Sequence, residues 1–147
     1  MDAITIFNSQ QDYMILFLRL IIGIIMFPHG AQKLFGWFGG GGLKDTIQHM
    51  SSAGVPRFVS LLIIFGQSLG SIAIIIGFCT RLVAVCLFII MAGAMIINMP
   101  NGWMMNWTGK KNGEGIEYFI LFLAIDLYII ISGSGPLGFD NLIYSKF

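Results

Sequence analysis

Apolar residues in this chain come as long unbroken blocks separated by short polar stretches, with no alternation of period two anywhere. Four blocks, residues 13–35, 56–78, 81–99 and 116–134, each approach the roughly 20 residues that a helix needs to cross a hydrocarbon layer. Backbone groups in lipid must be satisfied within their own segment, so the blocks predict helices, and the lack of alternation excludes a barrel. Four crossings place both termini on one side, together with a tight turn at 77–81. The other side receives two longer connections, residues 36–55 and 100–115. Within the first, LKDTIQHMSSAG carries Leu43, Ile47 and Met50 at helical spacing, and Gly54-Val55-Pro56 ends it. An amphipathic segment of this kind is expected to lie in the membrane interface. The predicted fold is an all-α membrane protein, a four-transmembrane-helix bundle with a short interfacial helix in the first loop.

Composition agrees. The 147 residues allow one domain, 56% are hydrophobic and 10% charged, and the mean hydropathy is +0.85. A formal charge of +1 and the lack of a basic stripe exclude nucleic acid as a partner and leave the lipid bilayer as the first one. The opening MDAITIFNSQQDYM has no basic run, and no small-residue cleavage site follows, so the first block reads as retained. Lys33, Lys44, Arg57, Lys110 and Lys111 on the two-loop side outnumber Arg81 and Lys146 on the other, which favours a cytoplasmic two-loop side. The two cysteines, Cys79 and Cys86, lie roughly 10 Å apart on one helix, too far for a disulfide. They read as small buried hydrophobes, so electron chemistry must come from elsewhere.

Ionisable residues at membrane depth are costly and mark candidate sites. Arg19 lies about 9 Å into the first block, while Gln67 and Asp126 fall near the midplane, roughly 15 Å from either face. One reading pairs Arg19 with Asp126 and gives Gln67 the remaining hydrogen bonds. The other makes the three a polar pocket for a ligand headgroup, or a proton relay. Gly66-x-x-x-Gly70 beside them permits close helix approach, inside the chain or in a homodimer, and Met91-Ala92-Gly93-Ala94 plays a similar part in the third block. A second cluster is expected near the two-loop face, where His29 and Lys33 share a helix face and Glu117 opens the fourth block. Pro28 should kink the helix below them. Trp37, Trp103 and Trp107 form either a lid over that cluster or an interfacial aromatic belt. Gly39 to Gly42 make a flexible loop without a phosphate-binding pattern, and with so few histidines no metal site is expected.

The chain resembles the DoxX family of small bacterial membrane proteins over nearly its whole length. The resemblance is carried by LRLIIG at 18–23, PHGAQKLFGWFGG at 28–40, IIIGFCTRL at 74–82, PNGW at 100–103, GIEYFIL at 115–121 and GSGPLGFDNLI at 133–143. It implies a multi-pass protein of the bacterial inner membrane, similar to subunits of thiosulfate:quinone oxidoreductases, with quinone as the electron partner. Two departures stand out: Gln67 replaces a usual glutamate and Asn98 a frequent histidine, so Asp126 becomes the expected substitute partner for Arg19. The expected function is a membrane subunit of a quinone-linked oxidoreductase or oxidative-stress system, its redox centre supplied by a soluble or membrane partner. Arg19, Gln67 and Asp126, or His29, Lys33 and Glu117, would hold the quinone headgroup. Two alternatives stand beside it: a non-catalytic scaffold docking a soluble partner, and a carrier of small solutes or protons.

Overall fold

A computed structural model describes residues 3–110 and 113–144, with side chains described for 13–110 and 113–143. Six α-helices follow in order: α1 (Ala3–Phe35), α2 (Gly42–Ser52), α3 (Arg57–Ile76), α4 (Thr80–Asn98), α5 (Glu117–Ser132) and α6 (Phe139–Tyr144), with no strand among the described residues. Three helical stretches, Tyr13–Phe35, Arg57–Ile76 and Thr80–Asn101, are long and apolar enough to cross a membrane. The fourth apolar block yields the 16-residue α5, which stops at Ser132. Packing closes a ring: α1 on α3, α3 on α4, α4 on α5, and α5 back on α1, with α2 laid across α1 and α3.

Burial is inverted relative to a soluble bundle. Ile22, Met26, Ile74, Leu87, Met91, Phe122 and Ile129 make an inner apolar core, yet Phe58, Leu62, Leu69, Leu82, Ile89 and Ile97 face outward. The polar side chains Arg19, Ser60, Gln67, Ser68, Ser71, Thr80 and Asp126 are all buried. A helix apolar on all sides, with its few polar groups turned inward, is suited to lipid surroundings. On α2, Leu43, Ile47 and Met50 are half-buried while Lys44, Asp45, Gln48 and His49 are exposed, which is the amphipathic pattern its sequence predicts.

Small residues set the spacings. Gly30 of α1 meets α3 so closely that a Cβ there would lie 2.5 Å from the Ser68 Cα. Gly66 and Gly70 face Ile90, Val83 and Leu87 of α4, so this seam is internal to the chain. Gly93, expected to pack similarly, has nothing within 4 Å of a Cβ position. Nor is the glycine run slack: a Cβ at Gly40 would collide with the backbone of Gln32, which fixes that turn to α1. The helix α1 runs unbroken through Pro28. Both cysteines are exposed rather than buried, and Cys79 precedes α4 in a left-handed conformation, φ 47°. Of the charges used to orient the chain, Lys111 and Lys146 lie outside the described residues.

At the end of the bundle where α3 turns into α4, called here the turn end, the ends of three helices are tied together. Gly77 closes α3 at φ +75°, its N–H bonding the Ala73 carbonyl at 2.9 Å. The Asp140 carboxylate then accepts the Cys79 N–H at 2.6 Å and the Thr80 N–H at 2.8 Å, while the Asp140 N–H donates to the Gly77 carbonyl at 2.9 Å. A residue 60 positions downstream thus caps the start of α4, where a carboxylate is favoured. Asp140→Ala is expected to lower stability by about 1–2 kcal/mol, read from thermal unfolding in detergent, with Asp140→Asn keeping part of it.

Candidate functional site

The expected Arg19–Gln67–Asp126 cluster does not form, and the reason is the level at which Arg19 sits. Its Nε donates to the Ile74 carbonyl at 3.0 Å, Nη2 to Ile75 at 2.8 Å, and Nη1 to Ser134. These are the last carbonyls of α3 and the first loop beyond α5, groups that a helix end leaves without intrahelical donors. Arg19 therefore joins α1, α3 and the segment after α5 at the turn end, where a side chain on Gly77 would strike its guanidinium. Asp126 is 0% exposed between Phe122 and Ile129, and neither carboxylate oxygen has a partner. Gln67 belongs to a different group.

That group forms because α1 and α3 approach at Gly30. The Ser68 hydroxyl lies 2.9 Å from the Gly30 carbonyl and 2.7 Å from the Ile64 carbonyl, its one proton shared between them. One turn further along α1 the Lys33 ammonium donates to Gln67 Oε1 at 2.6 Å. With its oxygen engaged by Lys33, the amide presents its NH2 as the free end. Lys33 and Gln67 line one wall of a cavity of about 440 Å³ enclosed by α1, α3, α4, α5 and the loop joining α4 to α5. His29, Lys33, Gln67, Glu114 and Tyr118 supply its polar surface, and Ile25, Met26, Met91, Ala94 and Phe119 most of its apolar surface. Ile25 and His29 are exposed, so the cavity opens on the α1 side. The Tyr118 hydroxyl is buried and has no partner.

Of the residues predicted from sequence, His29, Lys33 and Gln67 come together here, Gln67 having crossed from one expected cluster to the other. Glu117 does not join Lys33. Its Oε2 accepts the Met105 N–H at 3.3 Å and its own N–H donates to the Trp103 carbonyl at 3.1 Å, which anchors the loop over the cavity. The three tryptophans do not line the cavity. Trp37, Trp103 and Trp107 are 54%, 60% and 81% exposed, and the roof is made by Met105 and Glu114 instead. The Glu114 carboxylate accepts the Asn106 N–H at 3.0 Å. Sequence reasoning missed Tyr118, although the inward stripe of α5 contains it: stepping back from Asp126 by four residues reaches Phe122, and by eight Tyr118.

The site is rich in donors. Lys33 and the Gln67 amide present N–H groups and His29 adds one from either imidazole tautomer, while the Tyr118 hydroxyl is buried at the edge of the site and Glu114 adds a carboxylate acceptor. Such a set over an apolar floor suits a flat apolar ring bearing carbonyl oxygens better than a hydroxyl-rich molecule.

Comparison with known proteins places the chain. Residues 14–99 match the DoxX family profile. CatD of Bacillus subtilis, provisionally named an oxidoreductase, is 29% identical over 138 residues, covering 93% of this chain and 92% of that protein. Two Escherichia coli proteins, the inner membrane proteins YphA and YqjF, are 26% and 27% identical, covering 92% and 95% of this chain and 94% and 98% of their own lengths. No solved structure matches.

Proposed function

Because the chain belongs to the DoxX family, a premise its residues 14–99 establish, we propose that it serves a quinone-linked oxidoreductase system of the bacterial inner membrane, binding the quinone headgroup in the donor-lined cavity. In this reading α5 is the fourth membrane crossing. Its 16 residues span about 24 Å, and its packing on α4 and α1 supports that placement. The helix α2 lies in the interface, its apolar side on α1 and α3. The family, the inner-membrane relatives and the name given to CatD agree with such a role.

The observation that carries the reading is the convergence of Lys33, Gln67, His29 and Tyr118 on one apolar cavity. Lys33 and the Gln67 amide would hold one quinone carbonyl, Tyr118 or His29 the other, and Met26, Met91 and Phe119 would contact the ring. The chain supplies no flavin, haem or iron–sulfur motif, so electrons come from a partner protein at the two-loop face.

Purification in mild detergent from native membranes, with solvent extraction and mass spectrometry, tests this. Bound quinone near one per chain is expected, and Lys33→Met should weaken binding roughly tenfold, the equivalent of one lost charged hydrogen bond, and so lower the quinone retained through purification. Quinone no higher than in the surrounding lipid would reject the reading and leave a scaffold that docks a soluble partner.

A further inference from the structure

Among the described residues, the buried side-chain oxygens without a hydrogen-bond partner belong to Thr80, Tyr118 and Asp126. All three lie on α4 and α5, which pack against each other. They also fall at successive levels. Thr80 opens α4 at the turn end. Asp126 is six residues from the end of α5 on that side, about 9 Å in. Tyr118 is eight residues further, about 12 Å on, where it lines the cavity. Orphaned polar groups are rare in native interiors and call for an explanation. Here one lies at the turn end, one partway along α5 and one at the cavity.

Asp126 is the costliest member. It is 0% exposed, its neighbours on the stripe, Phe122 and Ile129, are core residues, and Arg19, the other ionisable side chain buried from α1, is committed to three carbonyls. No ionisable side chain of α4 turns inward: Arg81 and Cys86 are exposed. On α5, Tyr118 is the nearest titratable group along the stripe. An acid placed alone in an apolar core does nothing for stability, and intramembrane carboxyls of this kind serve ion or proton movement.

We infer that the seam between α4 and α5 is a proton path from the turn end to the cavity, with the Asp126 carboxyl as its station and the Thr80 and Tyr118 hydroxyls at its two ends. Its purpose rests on the quinone reading, since a quinone reduced by electrons from a partner takes up one proton per electron. Each transfer breaks one O–H bond and forms another, and no electron moves along the seam. Asp126 and Tyr118 are about 12 Å apart along α5, which exceeds a hydrogen bond, so water must bridge that step. Phe122 lies between them on the same stripe of α5, its ring centroid 6.0 Å from that of Tyr118.

Infrared spectroscopy of the ligand-free protein in lipid nanodiscs tests the path. The expected result is a protonated-carboxyl band that Asp126→Asn removes and that shifts as deuterium from the solvent reaches it without unfolding. Thr80→Val should slow that exchange roughly tenfold, the rate equivalent of one lost hydrogen bond, and Thr80→Ser should restore it. Tyr118→Phe, at the far end, should leave it unchanged. A missing Asp126 band, a band that never exchanges, or exchange indifferent to Thr80→Val would each overturn the inference. Because the measurement needs no quinone, failure of quinone binding would leave it standing, and failure of exchange would leave the cavity reading intact.

Discussion

Gly30→Ala is expected to push α1 off α3 and to dismantle the cavity with it. The added carbon would sit 2.5 Å from the Ser68 Cα and 2.6 Å from its nitrogen, contacts with backbone that no side-chain rotation relieves. Overpacking of a tight core costs about 1–3 kcal/mol where side chains can move, and here the helix itself must shift. Two hydrogen bonds depend on the same approach, Ser68 to the Gly30 carbonyl and Lys33 to Gln67, so structure and ligand site should fail together. Thermal unfolding in detergent, run beside quinone occupancy, would show both losses. Gly93→Ala is the control. With open space around it, that change should stabilise α4 by up to about 1 kcal/mol, the ordinary gain of alanine over glycine in a helix.

Arg19→Leu is expected to cost on the order of 2–4 kcal/mol, since three backbone carbonyls lose a charged donor. Three carbonyls, Ile74, Ile75 and Ser134, lose their donor, and with it a side chain that joins α1, the end of α3 and the segment after α5. Lysine should recover only part of the loss, because one ammonium cannot fan across three acceptors as a planar guanidinium does. The exposed Arg81 makes a single bond to the Ile131 carbonyl at 3.2 Å, and Arg81→Leu should change stability by about 0.5 kcal/mol or less. The melting temperatures of the three variants decide it. Arg19→Leu melting like wild type would mean that the guanidinium is not the tie at the turn end.

The helices were legible because lipid imposes a length and a uniform apolarity that the chain cannot disguise: α3 and α4 follow their blocks to within two residues, and α1 ends with its block at Phe35, though it begins ten residues earlier, at Ala3. The cavity was half legible. His29 and Lys33 share a helix face by spacing alone, but Gln67 joins them only because Gly30 and Ser68 let two helices touch, a fact of packing rather than of periodicity. Arg19 was placed with an acid because charge suggests charge. Its acceptors are backbone carbonyls, which every residue owns and no pattern announces. Depth counting erred for a related reason: residues into a block measure distance from that block's own edge, whereas Arg19 is level with the last turn of α3. The cap on α4 was hidden in the same way, since its carboxylate comes from Asp140 and not from a residue beside the helix.

The ties at the turn end span 115 residues between Arg19 and Ser134 and 60 between Thr80 and Asp140. During synthesis the first helix therefore enters the membrane long before its last partner exists. Its guanidinium must wait in water or at the lipid headgroups until α3 offers two carbonyls, and for the third until the segment after α5 has emerged. Fastening of the turn end is thus complete only once the segment after α5 has emerged, and a polypeptide released before residue 133 would hold inserted helices with that end unfastened. Such a fragment would expose an unsatisfied arginine and an uncapped α4, the features by which membrane quality control could tell an unfinished chain from a finished one.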